Sequence, residues 1–371
     1  MKHNKKDLQL FYLSGSSFPS NFANSVQVIS QCNGFASMGI KVHLFGILSR
    51  NAKTSDVFDA YSANSSIQFH LMNYSKIKSY FNIFFYFFWV SNNLKSDIEI
   101  LYVRHINLFL MICIFKRFRN TKVVLELHHP ISKFKYKLIY ALSFLCKKIK
   151  IVYISTSLRN IQRKKVKFSS KIQDVIAHDA CSPLNYSFIF NRKMNSVGYV
   201  GGFYKGRGLD TIINLANDLP EYTFHLVGGS REKLIQLYNL DVPLNVICYG
   251  YVDNSSISEY FNKFDICLAL YDFDTSVPGG RNTVEFMSPL KIFEYMSMGK
   301  YIIASKLPVI EEILSDKINS CLVDFRDRSQ IVNSIRRYKD TNFASKIMRR
   351  AFEDSKSHSW TNRAKIVLSD I

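Results

Sequence analysis

The segment Ser288–Lys300, SPLKIFEYMSMGK, brings together residue types that can hold an anion and a diol. Ser288 is a favoured N-cap residue, and Pro289 suits the first helical position, where no amide donor is needed. The amides of that first turn, backed by the helix dipole, form an anion site fit for phosphate. Lys291 adds a mobile positive charge at the same end. Glu294 follows three residues later, on the same helix face and one turn deeper. A carboxylate there can accept hydrogen bonds from both ribose hydroxyls of a nucleotide whose phosphates rest on the helix end. The plainer reading is an amphipathic helix with Ile292, Phe293, Tyr295 and Met296 in the core and Glu294 exposed. Capping, charge and depth agree better with the nucleotide site.

Other polar residues are less specific. Arg207, in KGRG, is either a solvated turn residue or a second contact to an anion. His128 and His129 end an apolar strand, and that position favours a functional role for His128. His105 and His178 read as structural. No DxD stands at a strand end, and the DFD at 272–274 lies in an irregular stretch, so no metal is expected. Positive side chains and a helix end can instead neutralise a leaving anion. The seven cysteines are odd in number and widely spaced, with no CxxC pair. That pattern fits reduced, buried thiols in a cytosolic protein, not a disulfide framework or zinc site.

These residues need a scaffold, and the chain alternates strand-like and helix-like segments. In the first half, strands are expected at Leu8–Leu13, Lys41–Gly46, Ile98–Val103, Lys122–Leu127 and Ile151–Ser155. A loop is expected at Ser14–Asn21 and a helix at Ala23–Met38, with Gly39 past its end. In the second half, strands at Ser196–Val200, Tyr222–Val227, Asn245–Tyr249, Ile266–Leu270 and Tyr301–Ala304 alternate with helices at Leu209–Ala216, Arg231–Leu240 and Ser255–Phe261. A long loop at Tyr271–Met287 precedes the helix from Pro289, and further helices close the chain. Strands alternating with helices imply parallel βαβ units. The expected fold class is α/β, two Rossmann-like doubly wound domains facing across a cleft, with ligands at the carboxyl ends of the strands. The hinge is expected around Cys181–Asn195.

The length of 371 residues accommodates about two domains. With 47% hydrophobic and 21% charged residues, disorder and collagen-like repeats are excluded. The net charge is +20, unevenly spread: residues 1–190 carry 26 Lys and Arg against 8 Asp and Glu, the remainder 23 against 21. Lys133–Lys150, KFKYKLIYALSFLCKKIK, reads as a basic amphipathic helix able to rest on an anionic bilayer, or as a solvated basic face. A second basic run follows at Arg163–Lys171. No nucleic-acid-binding signature accompanies the charge. The apolar runs Tyr80–Val90 and Ile106–Phe115 fall short of the roughly 20 residues a span needs and read as buried helices, with the aromatic density of the first leaving a membrane-facing role open. The start, MKHNKKDLQLFYLSG, reads as a first strand and not a signal peptide.

With these segments in order, the chain resembles the family 4 glycosyltransferases, in the bacterial surface-polysaccharide branch with an SPLKxFEYM segment. The resemblance rests on SPLKIFEYM, on VGYVGGFYKGRGLDTIINLANDLPEYTFHLVGG (197–229), on HSWTNRAK (358–365), and on ANSVQV (23–28), LYVRH (101–105) and LELHH (125–129). It implies the GT-B type of fold and a sugar-nucleotide donor. Domains would span 1–185 (basic, acceptor side) and 186–355 (nucleotide-sugar side), with 356–371 a helix crossing back to the first. Arg207 and Lys291 would contact the donor diphosphate, Glu294 the ribose, and His128 would lie near sugar and acceptor. Gly15 and Ser16 would lie in the loop approaching the phosphates, and Gly279–Ser288 beside the sugar. Two departures stand out. The family's earlier glutamate position is Phe286 here, with Glu285 adjacent, so sugar recognition would rest on backbone amides near Phe286–Leu290. The arginine usual after the first strand of the second domain is Gly202.

The resemblance therefore implies a retaining glycosyltransferase using a nucleoside diphosphate sugar, with no metal or other cofactor. Its acceptor would be a lipid-linked saccharide in capsule, O-antigen or exopolysaccharide synthesis. The expected partners are that donor, that acceptor and an anionic membrane surface, without nucleic acid. The expected location is cytoplasmic, peripheral on the inner face of the cell membrane. The alternatives are a sugar-nucleotide epimerase or hydrolase on the same fold, and a non-catalytic basic membrane- or nucleic-acid-binding protein.

Overall fold

The computed structural model describes residues 8–73, 82–94, 98–115, 121–166, 172–182, 188, 190, 195–275 and 282–371. These divide into two compact units, 1–178 with 360–371, and 179–359. Of the expected hinge, 183–187, 189 and 191–194 lie outside the described residues.

Unit 1 runs β1 (Gln9–Phe18), α1 (Ala23–Ala36), β2 (Lys41–Leu48), α2 (Thr54–Tyr61), β3 (Gln68–Asn73), α3 (Asn82–Asn93), β4 (Ile100–Val103), α4 (Ile106–Ile114), β5 (Lys122–Leu127), α5 (Lys133–Leu142), β6 (Lys148–Tyr153), α6 (Thr156–Lys165) and β7 (Gln173–Ile176). Unit 2 holds β8 (Ser196–Val200), α7 (Leu209–Asp218), β9 (Thr223–Val227), α8 (Arg231–Tyr238), β10 (Val246–Cys248), α9 (Ile257–Phe261), β11 (Ile266–Ala269), α10 (Leu290–Ser297), β12 (Tyr301–Ser305), α11 (Pro308–Glu311), β13 (Cys321–Val323), α12 (Arg328–Arg337) and α13 (Thr341–Ser355). The last helix, α14 (Trp360–Leu368), belongs to unit 1.

The sheets have orders β3-β2-β1-β4-β5-β6-β7 and β10-β9-β8-β11-β12-β13. All their pairings are parallel. Parallel sheets are covered on both faces, so central strands read as unbroken apolar runs. Every residue of β4 (ILYV), β8 (SVGYV) and β11 (ICLA) is buried. In each sheet the order reverses once, between β1 and β4 and between β8 and β11, which are the switch points where doubly wound folds bind ligands. The two-domain α/β architecture expected from the sequence is the one observed.

Three local expectations need correction, and a fourth segment lies mostly outside the described residues. The first strand does not stop at Leu13. It runs to Phe18 through a register shift between Leu13 and Ser17 on β2, so Gly15 and Ser16 lie inside a bulged strand and not in a loop. The basic segment Lys133–Lys150 is not one helix. α5 ends at Leu142, Lys148 and Lys150 belong to β6, and Lys150 is buried with its ammonium on the carbonyls of Ile366 and Ser369. The run Arg163–Lys171 contributes only the end of α6 to the described residues, where Arg163 joins Arg159 on Asp174. Finally, α3 is only half buried: Tyr86, Phe87 and Val90 face the core, while Phe84, Phe85 and Phe88 are exposed. Among the described residues no helix is long and apolar enough to cross a membrane.

The last helix seats on α1 at Gly34. A Cβ there would stand 2.4 Å from the Trp360 carbonyl oxygen and 2.7 Å from its carbon, so only glycine allows this approach. Ala364 and Val367 of α14 share a core with Val28, Ile29 and Phe35 of α1. Overpacking against backbone that cannot rotate away costs about 1–3 kcal/mol. Gly34→Ala is expected to lower the thermal unfolding midpoint by several degrees and shift tryptophan fluorescence, because Trp360 must move; an unchanged melt and spectrum would contradict this seating.

Candidate functional site

In unit 2 the residues Arg207, Lys291 and Glu294 come together at the switch point. Arg207 sits in the turn after β8 between Gly206 and Gly208, with φ of 78° and 70°. A Cβ on Gly208 would fall 2.5 Å from Leu270 Cβ, so this glycine lets the turn press against the end of β11. Asp272 N donates to Gly206 O at 3.0 Å, and Thr275 Oγ1 donates to the same oxygen at 2.7 Å. The helix α10 is fixed by Tyr295, whose hydroxyl accepts from Val200 N at 2.9 Å and donates to Leu268 O at 3.4 Å. Its first turn therefore stands beside the ends of both β8 and β11.

Lys291 is only 9% exposed, and its Nζ lies 3.8 Å from the ring centroid of Tyr199 and 5.1 Å from that of Tyr271. The Arg207 guanidinium lies 5.3 Å from the Tyr271 centroid, and among the described residues its buried Nε has no hydrogen-bond partner. Among the described residues no carboxylate comes within 4 Å of either cation. Aromatic faces hold cations without cancelling their charge, so the pair remains available to an anion. Burial, then Arg207, holds the Lys291 ammonium well below the usual lysine range, with Glu294 opposing. Burial raises the Glu294 carboxyl to about 7, against the pull of Lys291. Two cations that repel each other in a partly dry site, beside a helix end and a half-buried acid, can take up a diphosphate and a neighbouring diol.

The surrounding expectations fare unevenly. Ser288 does not cap α10. Its Oγ accepts from Asp179 N at 2.8 Å, and Pro289 occupies the cap position, with its carbonyl accepting from Ile292 N at 3.1 Å. The Phe286 amide cannot recognise a sugar, because it and the Met287 amide are both spent on the Thr283 carbonyl, at 3.1 and 2.9 Å. The amide expectation thus contracts to Ser288, Leu290 and the turn that follows. Glu285 is exposed. In Gly279–Ser288, positions 279–281 lie outside the described residues. Among the described residues no three His, Cys, Asp or Glu side chains cluster as a metal site would need.

In unit 1 a polar chain links Ser16 to His128. Asn24 Nδ2 donates to Ser16 Oγ at 3.0 Å, and Arg104 Nη1 donates to Asn24 O at 2.9 Å. Arg104 also meets the His128 ring, its Nε donating to Nε2 at 2.9 Å and its Nη2 lying 3.3 Å from Nδ1. His128 Nε2 stands 2.5 Å from Glu126 Oε1, and its side chain is 21% exposed. Gly15 is exposed, with open space where a Cβ would be. Burial pushes the Glu126 carboxyl up, but Arg363, His128 and Arg104 together hold it well below the usual carboxylate range. Burial and then Arg104 lower His128 to about 4, so the imidazole is neutral near pH 7. Sequence reasoning missed Asn24, Gln27, Arg104, Glu126 and Arg363 as site residues. Each lies within ANSVQV, LYVRH, LELHH or HSWTNRAK, whose polar members were the available signal.

Residues 195–340 match the family model described as "Glycosyl transferases group 1". Over 203 residues the chain is 25% identical to an uncharacterized 41.2 kDa protein in the cps region of Klebsiella pneumoniae, covering 54% of this chain and 48% of that protein. The match thus spans about half the length of that curated relative. Among solved structures, HepE of Anabaena in complex with UDP and glucose superposes with a TM-score of 0.70 at 14% identity, over 98% of this chain and 100% of that one. Sucrose-phosphate synthase of Thermosynechococcus elongatus superposes with a TM-score of 0.69 at 15% identity, over 96% of each. The fold is thus the one seen in these GT-B glycosyltransferase structures, and residues 195–340 are similar to the group 1 glycosyltransferases.

Proposed function

We propose that the protein is a retaining glycosyltransferase that moves a sugar from a nucleoside diphosphate sugar to an acceptor hydroxyl. The observation that carries this reading is the pair Lys291 and Arg207, held over Tyr199 and Tyr271 with no carboxylate partner among the described residues and with Glu294 one turn deeper. In this mechanism the two cations and the first turn of α10 stabilise the diphosphate as the glycosidic bond breaks. The acceptor attacks from the face the diphosphate leaves, and the leaving phosphate takes the acceptor proton. Glu294 binds the ribose. His128, neutral and held between Arg104 and Glu126, serves by hydrogen bonding near the sugar and not as a proton store. The donor nucleoside is uridine by analogy with HepE, and no metal takes part.

The acceptor in this reading is a lipid-linked saccharide of capsule, O-antigen or exopolysaccharide synthesis, and the cps-region relative supports that branch. The enzyme then works at the cytoplasmic face of the cell membrane, with an anionic membrane surface as partner. Exposed Lys133, Lys137 and Lys147, with exposed Phe134 and Phe144, lie on and just after α5, which packs against α4. The exposed Phe84, Phe85 and Phe88 lie on α3, which packs against α4 as well. Basic side chains and aromatic rings together suit a headgroup layer.

Removing a preorganised charge contact of this kind lowers turnover on the order of 10²–10³-fold. Incubating UDP-sugars with membrane lipid extract should give a glycosylated lipid, and Lys291→Ala and Arg207→Ala should each lose that much turnover at saturating donor. Equal donor cleavage without the extract would indicate a hydrolase instead.

Hydrogen bonds to a charged acceptor exceed those to a neutral one. With Glu294 near 7, calorimetric affinity for UDP-glucose should fall about tenfold from pH 8 to pH 6 as the carboxylate takes a proton. Glu294→Gln should bind weakly at both pH values with this limb absent; a parental limb retained in the variant would remove Glu294 from the site.

Each basic residue near an anionic surface contributes about 1 kcal/mol. Replacing Lys133, Lys137 and Lys147 with Gln should abolish sedimentation with phosphatidylserine vesicles at low salt and leave UDP-glucose binding intact. A parental protein that ignores such vesicles would remove the membrane surface from the partners.

A further inference from the structure

The bulge in β1 must settle its backbone polar groups without the help of a neighbouring strand. Leu13 pairs with Phe45 of β2 and Ser17 with Ile47, so Ser14, Gly15 and Ser16 stand opposite Gly46 alone. Buried polar groups left unpaired are costly, and side chains must replace the missing ladder. Ser14, 0% exposed, is tied twice. Its Oγ accepts from Ser16 N at 3.1 Å, and its carbonyl oxygen accepts from the Tyr86 hydroxyl at 2.6 Å. Tyr86 belongs to α3, 72 residues further along, and is buried. Its ring stacks on Trp89 at 6.0 Å, and Trp89 meets Phe45 of β2 at 5.9 Å, so packing on the sheet holds the hydroxyl in place. Burial keeps the phenol protonated, and therefore a donor.

The Ser14–Gly15 peptide is planar and trans, so its N–H points opposite to its C=O. With the carbonyl drawn inward onto Tyr86, the Gly15 N–H is aimed away from the interior. Gly15 is exposed, with no atom within 4 Å of where a Cβ would stand. Glycine tolerates most backbone angles, so the residue itself does not stop that peptide from turning over. Asn24 fixes the far side of the bulge through Ser16 Oγ, which leaves Tyr86 as the side chain bound to the Gly15 peptide plane. We propose that Tyr86 is a positioning residue: by holding the Ser14 carbonyl, it aims the Gly15 amide as a hydrogen-bond donor to an oxygen of the bound sugar nucleotide. Preorganised backbone donors stabilise charge that develops on oxygen as a bond breaks. The effect on turnover rests on the transferase reading above.

Ser14–Gly15 is the only Ser-Gly pair in the sequence, so labelling serine with carbonyl ¹³C and glycine with ¹⁵N isolates the Gly15 amide in a carbonyl-correlated spectrum of the full-length protein. Saturating UDP-glucose should shift this signal in the parental protein. Tyr86→Phe should move the signal in the free protein, abolish its response to UDP-glucose and lower kcat about tenfold or more, with little change in KM for donor. Gly15→Pro, which deletes the amide proton, should lose at least as much turnover, and the double variant should be no slower than Gly15→Pro alone. A tyrosine that merely packed would add its own loss to that of Gly15→Pro, and such additivity would overturn the proposal. So would a parental Gly15 amide that ignores UDP-glucose. If the Phe variant does not fold, site-specific replacement of Tyr86 by 3-fluorotyrosine, which keeps the hydroxyl and strengthens it as a donor, should shift the Ser14 carbonyl signal; an unmoved signal would overturn the contact. The expected spectra in a protein that transfers no sugar would uphold the aim of Gly15 and instead overturn the transferase reading.

Discussion

Parallel strands can be joined only by crossovers that return the chain to the opposite edge, so every strand of a sheet ends on the same side. In each unit that constraint gathers short connections from distant parts of the sequence at one rim. In unit 2 it sets the Arg207 turn after β8, Tyr271 after β11 and the first turn of α10 within reach of each other. In unit 1 it sets Arg104 after β4 beside His128 after β5, with the bulged end of β1 linked through Asn24. The chemistry of both rims follows from where strands end.

The two rims solve opposite electrostatic problems. At α10, like charges are brought together with no ion-pair partner among the described residues, and tyrosine faces make that tolerable. The resulting repulsion is relieved when an anion arrives. In the interior of unit 1, a carboxylate is surrounded by donors until its charge is fully answered. The first arrangement favours binding, and the second favours a single geometry.

Much of this was legible. Central strands such as Lys122–Leu127 read directly because burial on both faces leaves an unbroken apolar run, and β5 is found at those residues. The strands β3, β7 and β13, all at sheet edges, passed unnoticed because edges are short or more polar. Local chemistry in SPLKIFE pointed to Lys291 and Glu294 at the head of one helix, where they are found. The N-cap expected at Ser288 failed because its hydroxyl is claimed by Asp179, 109 residues away. Spacing carries no trace of such a bond. Arg363 and Glu126 stand 237 residues apart, and Lys150 lies buried in a stretch whose composition suggests solvent. Each of these three misses is a long-range polar contact overriding a short-range rule.

The membership of α14 in unit 1 also bears on how the chain is made. Residues 179–359 emerge from the ribosome between the body of unit 1 and its final helix. At 5–20 residues per second, that interval lasts roughly 10–35 s. Through it, Glu126 lacks its arginine and the Gly34 face of α1 lacks its cover, while unit 2 is still being made. The domain begun first is the one finished last, and its nascent form holds an unanswered acid and an uncovered apolar face until the C-terminal helix arrives.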